Sequence, residues 1–381
     1  MCCLLTLGVD YRIGGAKTLK LSETQLVWVI ATTEIIAMIG LKITPAIQIA
    51  KQDAWLSMLV GGIVGLAITF LAVKLSILHP NQTLIQYSQE LLGKWFGRLI
   101  VLPYLLAWFI LPAILLRSFA DFIHLVLLNR TPVWLIILLF IGLMTYLTYS
   151  SGISGIGRYC ELVGPIIIIT LLISFLLNLQ NIEWHHLLPF YFDSGEVNIL
   201  KGSLAPAFWF SGPFVLLVIV SFIQTPQKVL AKSMLGVGIT VFMVFASTLM
   251  VLLVFGPNLA AKLKFSYFVS VRTIDILSFI QNADVFIMFI WVFGVIAQSS
   301  LYIFIASYET ANCLKVKDWR KIIWFGIPVI YIMAILIPDE TAITLFDKFW
   351  TAVVYPICGI LIPLFLLIIT SFKKKERIKP I

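Results

Sequence analysis

Residues Gln25 to Pro45 read QLVWVIATTEIIAMIGLKITP, an apolar run long enough to cross a bilayer, yet interrupted by Thr32, Thr33, Glu34, Gly40 and Lys42. A charge in hydrocarbon costs roughly 2.5–3.5 kcal/mol on insertion scales. A helix that only faced lipid would have no use for Glu34 and Lys42, so this segment is expected to line something inside a bundle. Its counterpart lies in the second half, Gly202 to Val220, GSLAPAFWFSGPFVLLVIV, where Pro206, Gly212 and Pro213 again interrupt a hydrophobic run. Proline removes a backbone donor and glycine tolerates an unwound backbone, so both segments are read as broken helices. Freed amides and carbonyls at half-helix ends can bind the charged ends of a small ligand.

Composition sets the surroundings. With 61% hydrophobic and 12% charged residues and a mean hydropathy of +1.04, the chain lacks the polar coverage of a soluble domain. The apolar runs are about 18–25 residues long, as helical spans require, whereas a barrel would alternate over roughly 10. The fold class is therefore an all-α integral membrane protein. Met1 to Lys20 is not organised like a cleavable signal peptide, so the first span is expected to direct insertion. Spans are expected near 26–46, 54–78, 99–128, 133–150, 162–179, 204–222, 233–255, 284–311, 321–338 and 349–370, ten in all.

Charge then gives a sidedness. If the N-terminus is inside, the outside loops hold only Lys51, Arg130, Lys201, Lys262, Lys264, Arg272 and Lys348. Lys42, Lys74 and Arg117 lie within helices, and the remaining 17 of the 27 Lys and Arg fall inside. The positive-inside rule places both termini in the cytoplasm. The net charge of +9 is thus accounted for by topology and calls for no nucleic-acid partner; membrane lipid is the partner of the outer faces. Residues 1–20 form a cytoplasmic segment, 21–370 the membrane domain and 371–381 a basic cytoplasmic tail.

Splitting the ten helices five and five exposes an echo in element order. The amphipathic stretch Thr83 to Gly97, with Leu84, Leu91, Leu92, Trp95 and Phe96 assigned to one face, follows the second helix. Phe265 to Ile280, with Val269, Ile276 and Ile280, follows the seventh. Each half reads as broken helix, helix, surface helix, long helix, helix. Because five is odd, the halves (about 21–180 and 202–370) would insert with opposite orientation, the plan of inverted-repeat transporters with broken helices 1 and 6.

Several polar groups inside the spans have more than one reading. Arg117 and Asp121 stand four apart on one face of the third helix, with His124 a turn on. They suit an internal structural ion pair or snorkelling to the outer surface first, and a gate or a ligand-carboxylate contact second. Glu34 suits a proton carrier or a ligand amine, or a neutral hydrogen-bonded carboxyl. Lys42 and Lys74 are expected to snorkel to the surfaces. Ala297, Gln298, Ser299 and Ser300 form a polar patch in the eighth helix, suited to interhelical hydrogen bonds or to lining the site. The segment GISGIGR, Gly152 to Arg158, is read as a connector between spans. The histidines, His185 and His186 among them, show no metal-ligand spacing, and the five cysteines no framework, so neither metal nor cofactor is expected. Nucleophile motifs are missing too, and no enzyme is indicated.

Short signatures then add up. They are Leu21, Ser22 and Gln25; Gly40 and Pro45; DAWLS at Asp53 to Ser57; and HP..TL..Y with LLGKWFG at His79 to Gly97. They continue with Arg117, NRTP at Asn129 to Pro132, GIS...R at Gly152 to Arg158, Trp291, and PDE at Pro338 to Glu340. In this order the chain resembles, over about residues 20–370, the B subunits of spore germinant receptors, the endospore germination permease family of the amino acid, polyamine and organocation superfamily. The resemblance implies a ten-helix receptor in the spore inner membrane that acts with an A-type membrane subunit and a C-type lipoprotein. Such a receptor binds a nutrient such as an amino acid and triggers ion release and germination. It also implies a site formed by Thr33, Glu34, Met38, Ile39 and Gly40, by Phe210, Ser211 and Gly212, and by Ala297 and Gln298, with breaks at Met38 to Gly40 and Phe210 to Gly212. Met38 stands where the family often has a second glycine, Pro213 and Phe214 where an acidic residue is frequent, and Asn282 where an arginine is common. The alternative function is a proton-coupled amino-acid secondary transporter using Glu34.

Overall fold

The computed structural model describes residues 19–191, 194–223, 225–275 and 284–377. Most of the N-terminal segment, the end of the tail, Ile276 and Ile280 of the second surface stretch, and Asn282 lie outside the described residues. Among the described residues the regular elements are all helices: α1 Glu23–Leu41, α2 Ile43–Ala50, α3 Ala54–Leu78, α4 Leu84–Leu92, α5 Lys94–Val126, α6 Val133–Asn178 and α7 Gly195–Ser211. These are followed by α8 Pro213–Ile219, α9 Pro226–Ala260, α10 Ser266–Arg272, α11 Asp284–Leu314, α12 Arg320–Leu336, α13 Glu340–Phe349 and α14 Ile362–Arg377. Among the described residues, eight helical stretches are long and apolar enough to cross a membrane. The chain is therefore a multi-pass membrane protein.

Two expected spans do not stand alone. Where a connector was expected at Gly152 to Arg158, α6 continues as helix for 46 residues, bent at Gly152 (φ 57, ψ −149). A straight helix of that length would reach about 69 Å, more than twice the hydrocarbon thickness. Only a residue without a Cβ takes this φ easily, and a Cβ here would also meet Leu19 Cδ2 at 2.9 Å. The expected ninth span is α12, at 17 residues one of the shorter helices.

Helix α1 begins with a capping box: Ser22 Oγ accepts from the Gln25 amide and Gln25 Oε1 from the Ser22 amide, each at 3.1 Å. These are the Ser and Gln of the opening motif, so the resemblance there rests on helix initiation. The discontinuity of the first helix falls at Lys42 (φ −117, ψ −18), between α1 and α2, and not at Met38 to Gly40, which remain in α1. The second break falls as expected, at Gly212 between α7 and α8.

The two broken helices run side by side in opposite directions. At one end the Leu21 amide donates to Phe222 O at 2.9 Å, joining the residues just before α1 to the 3₁₀ turn Val220–Phe222 that follows α8. At the other end Ser194 Oγ donates to Ala50 O at 2.7 Å, joining the end of α2 to the start of α7. Helix α3 lies against α7 through small residues: a Cβ on Gly61 would come within 3.0 Å of Ser203 O, and one on Gly65 within 2.8 Å of Phe210 Cβ.

The first surface stretch divides at Gly93 (φ 85). Leu84 and Leu91 are buried beneath α4, whereas Trp95 and Phe96 open α5 and are 85% and 69% exposed. The positive φ turns the chain, so helical periodicity does not carry across it and the expected single apolar face is two.

Candidate functional site

The site grows from the turn at Gly212. Its φ of 46° and ψ of 41° are left-handed, ending α7 at Ser211 and letting α8 start with proline in its first turn. Facing this turn is Glu34, in the middle of α1 and 3% exposed. A Cβ on Gly212 would lie 3.4 Å from Glu34 Oε1. Among the described residues the Glu34 carboxyl makes no hydrogen bond and no ion pair. Tyr302 of α11 and Tyr355, from the segment between α13 and α14, are the buried hydroxyl groups within its electrostatic reach. A buried carboxylate with no partner is costly, so this position calls for a proton or a ligand cation.

The other expected site residues are buried around this centre, in differing roles. Thr33 spends its hydroxyl on Val29 O at 2.8 Å, within its own helix. Phe210 and Ser211 are buried at the end of α7, where Ser211 Oγ donates to Phe208 O at 2.8 Å and Ser211 O accepts from Thr69 Oγ1 at 3.3 Å. Met38, Ile39 and Ala297 are buried apolar groups. Gln298 is buried close to Tyr302, and its Nε2 has no hydrogen-bond partner among the described residues; neither has Ser299 Oγ. Ser300 does make interhelical contacts: its carbonyl accepts from Thr148 Oγ1 at 3.1 Å and its hydroxyl donates to Met144 O at 3.4 Å.

Gly40 faces a separate aromatic group. Trp291 Cζ2 would lie 3.5 Å from a Cβ there. The indole packs 4.5 Å from Phe122 and 5.7 Å from Phe265, ring centre to ring centre. A cavity of about 30 Å³ is lined by Gly40, Ser118, Phe119, Phe122, Phe265 and Trp291, among others. That is room for about one water. Trp291 Nε1 and Ser118 Oγ are buried there without a hydrogen-bond partner among the described residues. A larger recess of about 390 Å³ lies at Lys20, Ser22, Glu23 and Thr225. It is some 16 Å along α1 from Glu34 and separate from the polar centre.

One expectation about charges changes, and one of the readings of Arg117 and Asp121 is met. Lys42 does not snorkel: it is 3% exposed, its Nζ lies 2.5 Å from Asp347 Oδ1, and it stands 4.7 Å above the Trp209 ring. The partner comes from α13, 305 residues away. Arg117 pairs with Asp121, Nε to Oδ1 3.0 Å. It also donates to the carbonyls of Ala334 (3.5 Å), Ile335 (3.4 Å), Ile337 and Pro338 (3.2 Å), covering the open end of α12. The PDE motif follows at once, and Asp339 caps α13 by accepting from the Ala342 amide at 2.9 Å. Arg117 and PDE are thus two ends of one joint.

Glu309 was missed in the sequence. It carries the same signal as Glu34, an acid in an apolar helix, and is fully buried in α11. Its Oε2 accepts from the Ile85 amide at 3.1 Å, complementing the start of α4, and its Oε1 accepts from Asn312 Nδ2 at 3.1 Å. At the other end of α4, Lys373 Nζ donates to Leu91 O at 2.9 Å. His79 binds Thr370 Oγ1 at 2.9 Å through Nε2 and stacks on Tyr87 of α4, 5.0 Å between centres. Partial burial lowers the His79 pKa below its ordinary 6.5, opposed by the Glu90 charge.

These features define a helical transporter-like fold with a polar centre at a broken helix. Among solved structures, MhsT in complex with L-phenylalanine superposes with a TM-score of 0.70 over 91% of this chain and 89% of that one, at 12% identity. The likeness is one of fold. At the sequence level the spore germination protein family, the spore permeases, matches residues 20–343. The chain belongs to that family. Spore germination protein YndE of Bacillus subtilis is 26% identical over 365 residues, 94% of this chain and 99% of the relative. Spore germination protein KB of the same organism is 24% identical over 353 residues, 89% and 92% of the two chains.

Proposed function

We propose that this chain is the nutrient-sensing membrane subunit of a spore germinant receptor, with its ligand at the junction of α1 and the α7/α8 break. The observation that carries this reading is the buried, partnerless carboxyl of Glu34 facing the left-handed turn at Gly212. An amino acid supplies what that arrangement lacks, an ammonium to pair with the Glu34 carboxyl. Membership of the germination family supports a role in spores, and the superposition on a protein captured with an amino acid is in keeping with the ligand class. Tyr302, Tyr355 and Gln298 complete the surroundings. With Glu34 only 3% exposed, α1 and the α7/α8 pair must part from their neighbours before a nutrient can enter, and that movement is the signal passed to A-type and C-type subunits.

Ten spans in two inverted sets of five complete the proposal, with α6 divided at Gly152 and α12 counted as the ninth. The antiparallel pairing of the broken helices supports it. Both termini then lie in the cytoplasm and the chain in the spore inner membrane. Glu34 also favours a second reading, a proton-coupled amino-acid transporter, because a solitary buried carboxyl suits a proton carrier. A deletion strain screened against a nutrient panel tests the first reading: loss of response to a nutrient supports it. Proton-dependent uptake of a labelled amino acid by vesicles holding this chain alone supports the second.

A further inference from the structure

The loop from α6 to α7 carries a three-residue cluster that the midplane site does not use. Glu183, His185 and His186 offer one donor atom each, and the three lie within 4.8 Å of one another. Glu183 Oε2 is 3.3 Å from His185 Nε2 and 3.4 Å from His186 Nε2. Ligands about 2.0–2.1 Å from a tetrahedral ion stand about 3.3–3.4 Å apart, so the two separations from Glu183 suit a common ion, and a small rotation of the exposed His185 ring closes the third.

The hydrogen bonds of His186 strengthen the case. Its Nδ1 stands 3.0 Å from Leu253 O. A carbonyl only accepts, so Nδ1 carries the proton, and in the neutral ring Nε2 keeps the lone pair. That lone pair faces a carboxylate oxygen, an arrangement that requires a positive charge between or upon them. Holding the far ring nitrogen on a backbone carbonyl is also how a metal-ligating histidine is oriented. Two imidazoles and one carboxylate suit a borderline cation such as Zn²⁺ better than Mg²⁺ or Ca²⁺, which prefer oxygen ligands.

We propose that Glu183, His185 and His186 form a divalent transition-metal site that fixes the turn of this loop lying against α9. The Glu183 amide already donates to Leu253 O at 3.0 Å. The His186 ring lies 3.1 Å from where a Cβ would stand on Gly256, at the kink of α9 (φ 67). Further along the same loop, Pro189 O accepts from Gln52 Nε2 at 2.7 Å and the Tyr191 amide donates to Asp53 Oδ2 at 3.1 Å. A bound ion therefore holds rigid the turn whose Glu183 amide and His186 ring rest on the kinked end of α9, and with it the loop that leads into α7. The fourth position of a tetrahedral ion faces solvent, where water fills it.

The test uses the full chain, purified without a polyhistidine tag and held in lipid nanodiscs, in equilibrium dialysis against Zn²⁺ with metal quantitation. Wild type is expected to retain about one ion per chain and to melt at a higher temperature with Zn²⁺ present. Glu183→Gln and His185→Ala change exposed side chains, so folding is retained, and each is expected to weaken binding at least about tenfold, judged against the effect of lesser supporting contacts. His79→Gln and His124→Gln are expected to bind as wild type does. Failure of wild type to retain Zn²⁺ at micromolar concentration would leave only a His186–Glu183 ion pair and overturn the proposal. Unchanged binding in the Glu183→Gln, His185→Ala double variant would overturn it equally.

Discussion

Glu34 Oε1 lies 3.4 Å from the point where Gly212 would carry a Cβ, so a carboxyl of α1 rests directly on the turn that breaks the α7/α8 helix. The two residues are the polar and the flexible halves of one arrangement. Gly212→Ala places a methyl group against the carboxyl and forces a left-handed φ on a residue with a Cβ, which costs about 1–2 kcal/mol. A lowered melting temperature and loss of nutrient response are expected together, with scanning calorimetry in detergent and spore germination as the readouts.

The Lys42–Asp347 pair is asymmetric, the lysine side chain being 4% exposed and the aspartate 33%. Removing the aspartate strands a buried ammonium, whereas removing the lysine leaves a carboxylate that water still reaches. Asp347→Asn is therefore expected to cost about 3 kcal/mol and Lys42→Met less. The double variant should recover part of the loss. Equal effects of the two single variants in thermal unfolding would contradict this account of the pair.

At the end of α12, Arg117→Lys keeps the charge but loses the fork that spans several carbonyls. The change is expected to destabilise by about 2 kcal/mol, within the range for hydrogen bonds to charged groups. It should also speed amide exchange over residues 334–343, seen by hydrogen exchange mass spectrometry. Asp121→Asn, which leaves the carbonyl contacts in place, should do so less.

Much of this was legible in the sequence because a polar residue in an apolar run needs a reason. That logic located Glu34 and Gly212, and glycine and proline marked the second break. It failed where the reason lies far away in the chain: nothing within Gln25 to Pro45 says that Lys42 meets Asp347 305 residues later, so surface snorkelling was the local expectation. Backbone conformation misled in two further places. A glycine-rich GISGIGR reads as a loop, yet only Gly152 leaves the helical region, and the positive φ of Gly93 turns Trp95 and Phe96 away from the buried face of α4. His185 and His186 are unremarkable as neighbours in sequence, and only the 3₁₀ turn Trp184–Leu187 brings them around Glu183.

Helix α4 is held at its start by Glu309 and near its end by Lys373, with His79 stacked between. Because the folded state lowers the His79 pKa, the unfolded state binds the proton more readily as pH falls below 6.5. Stability is therefore full above that value and declines as the pH drops through the lowered one. Melting curves at pH 7 and pH 5 should show this decline, and His79→Gln should reduce it. Glu309→Ala, which orphans the Ile85 amide, is expected to loosen α4 by about 1 kcal/mol or more, visible as faster exchange of its first turn.

The most direct test of the central claim is the nutrient dose response of spores whose responding receptor contains this chain with Glu34→Gln. Glutamine keeps the shape but cannot offer a negative charge to an ammonium. With protein levels matched to wild type, the nutrient concentration for half-maximal germination is predicted to rise at least about tenfold, the loss of roughly 1.4 kcal/mol or more from a charge-assisted hydrogen bond. A dose response identical to wild type would contradict the assignment of Glu34 and Gly212 as the binding centre.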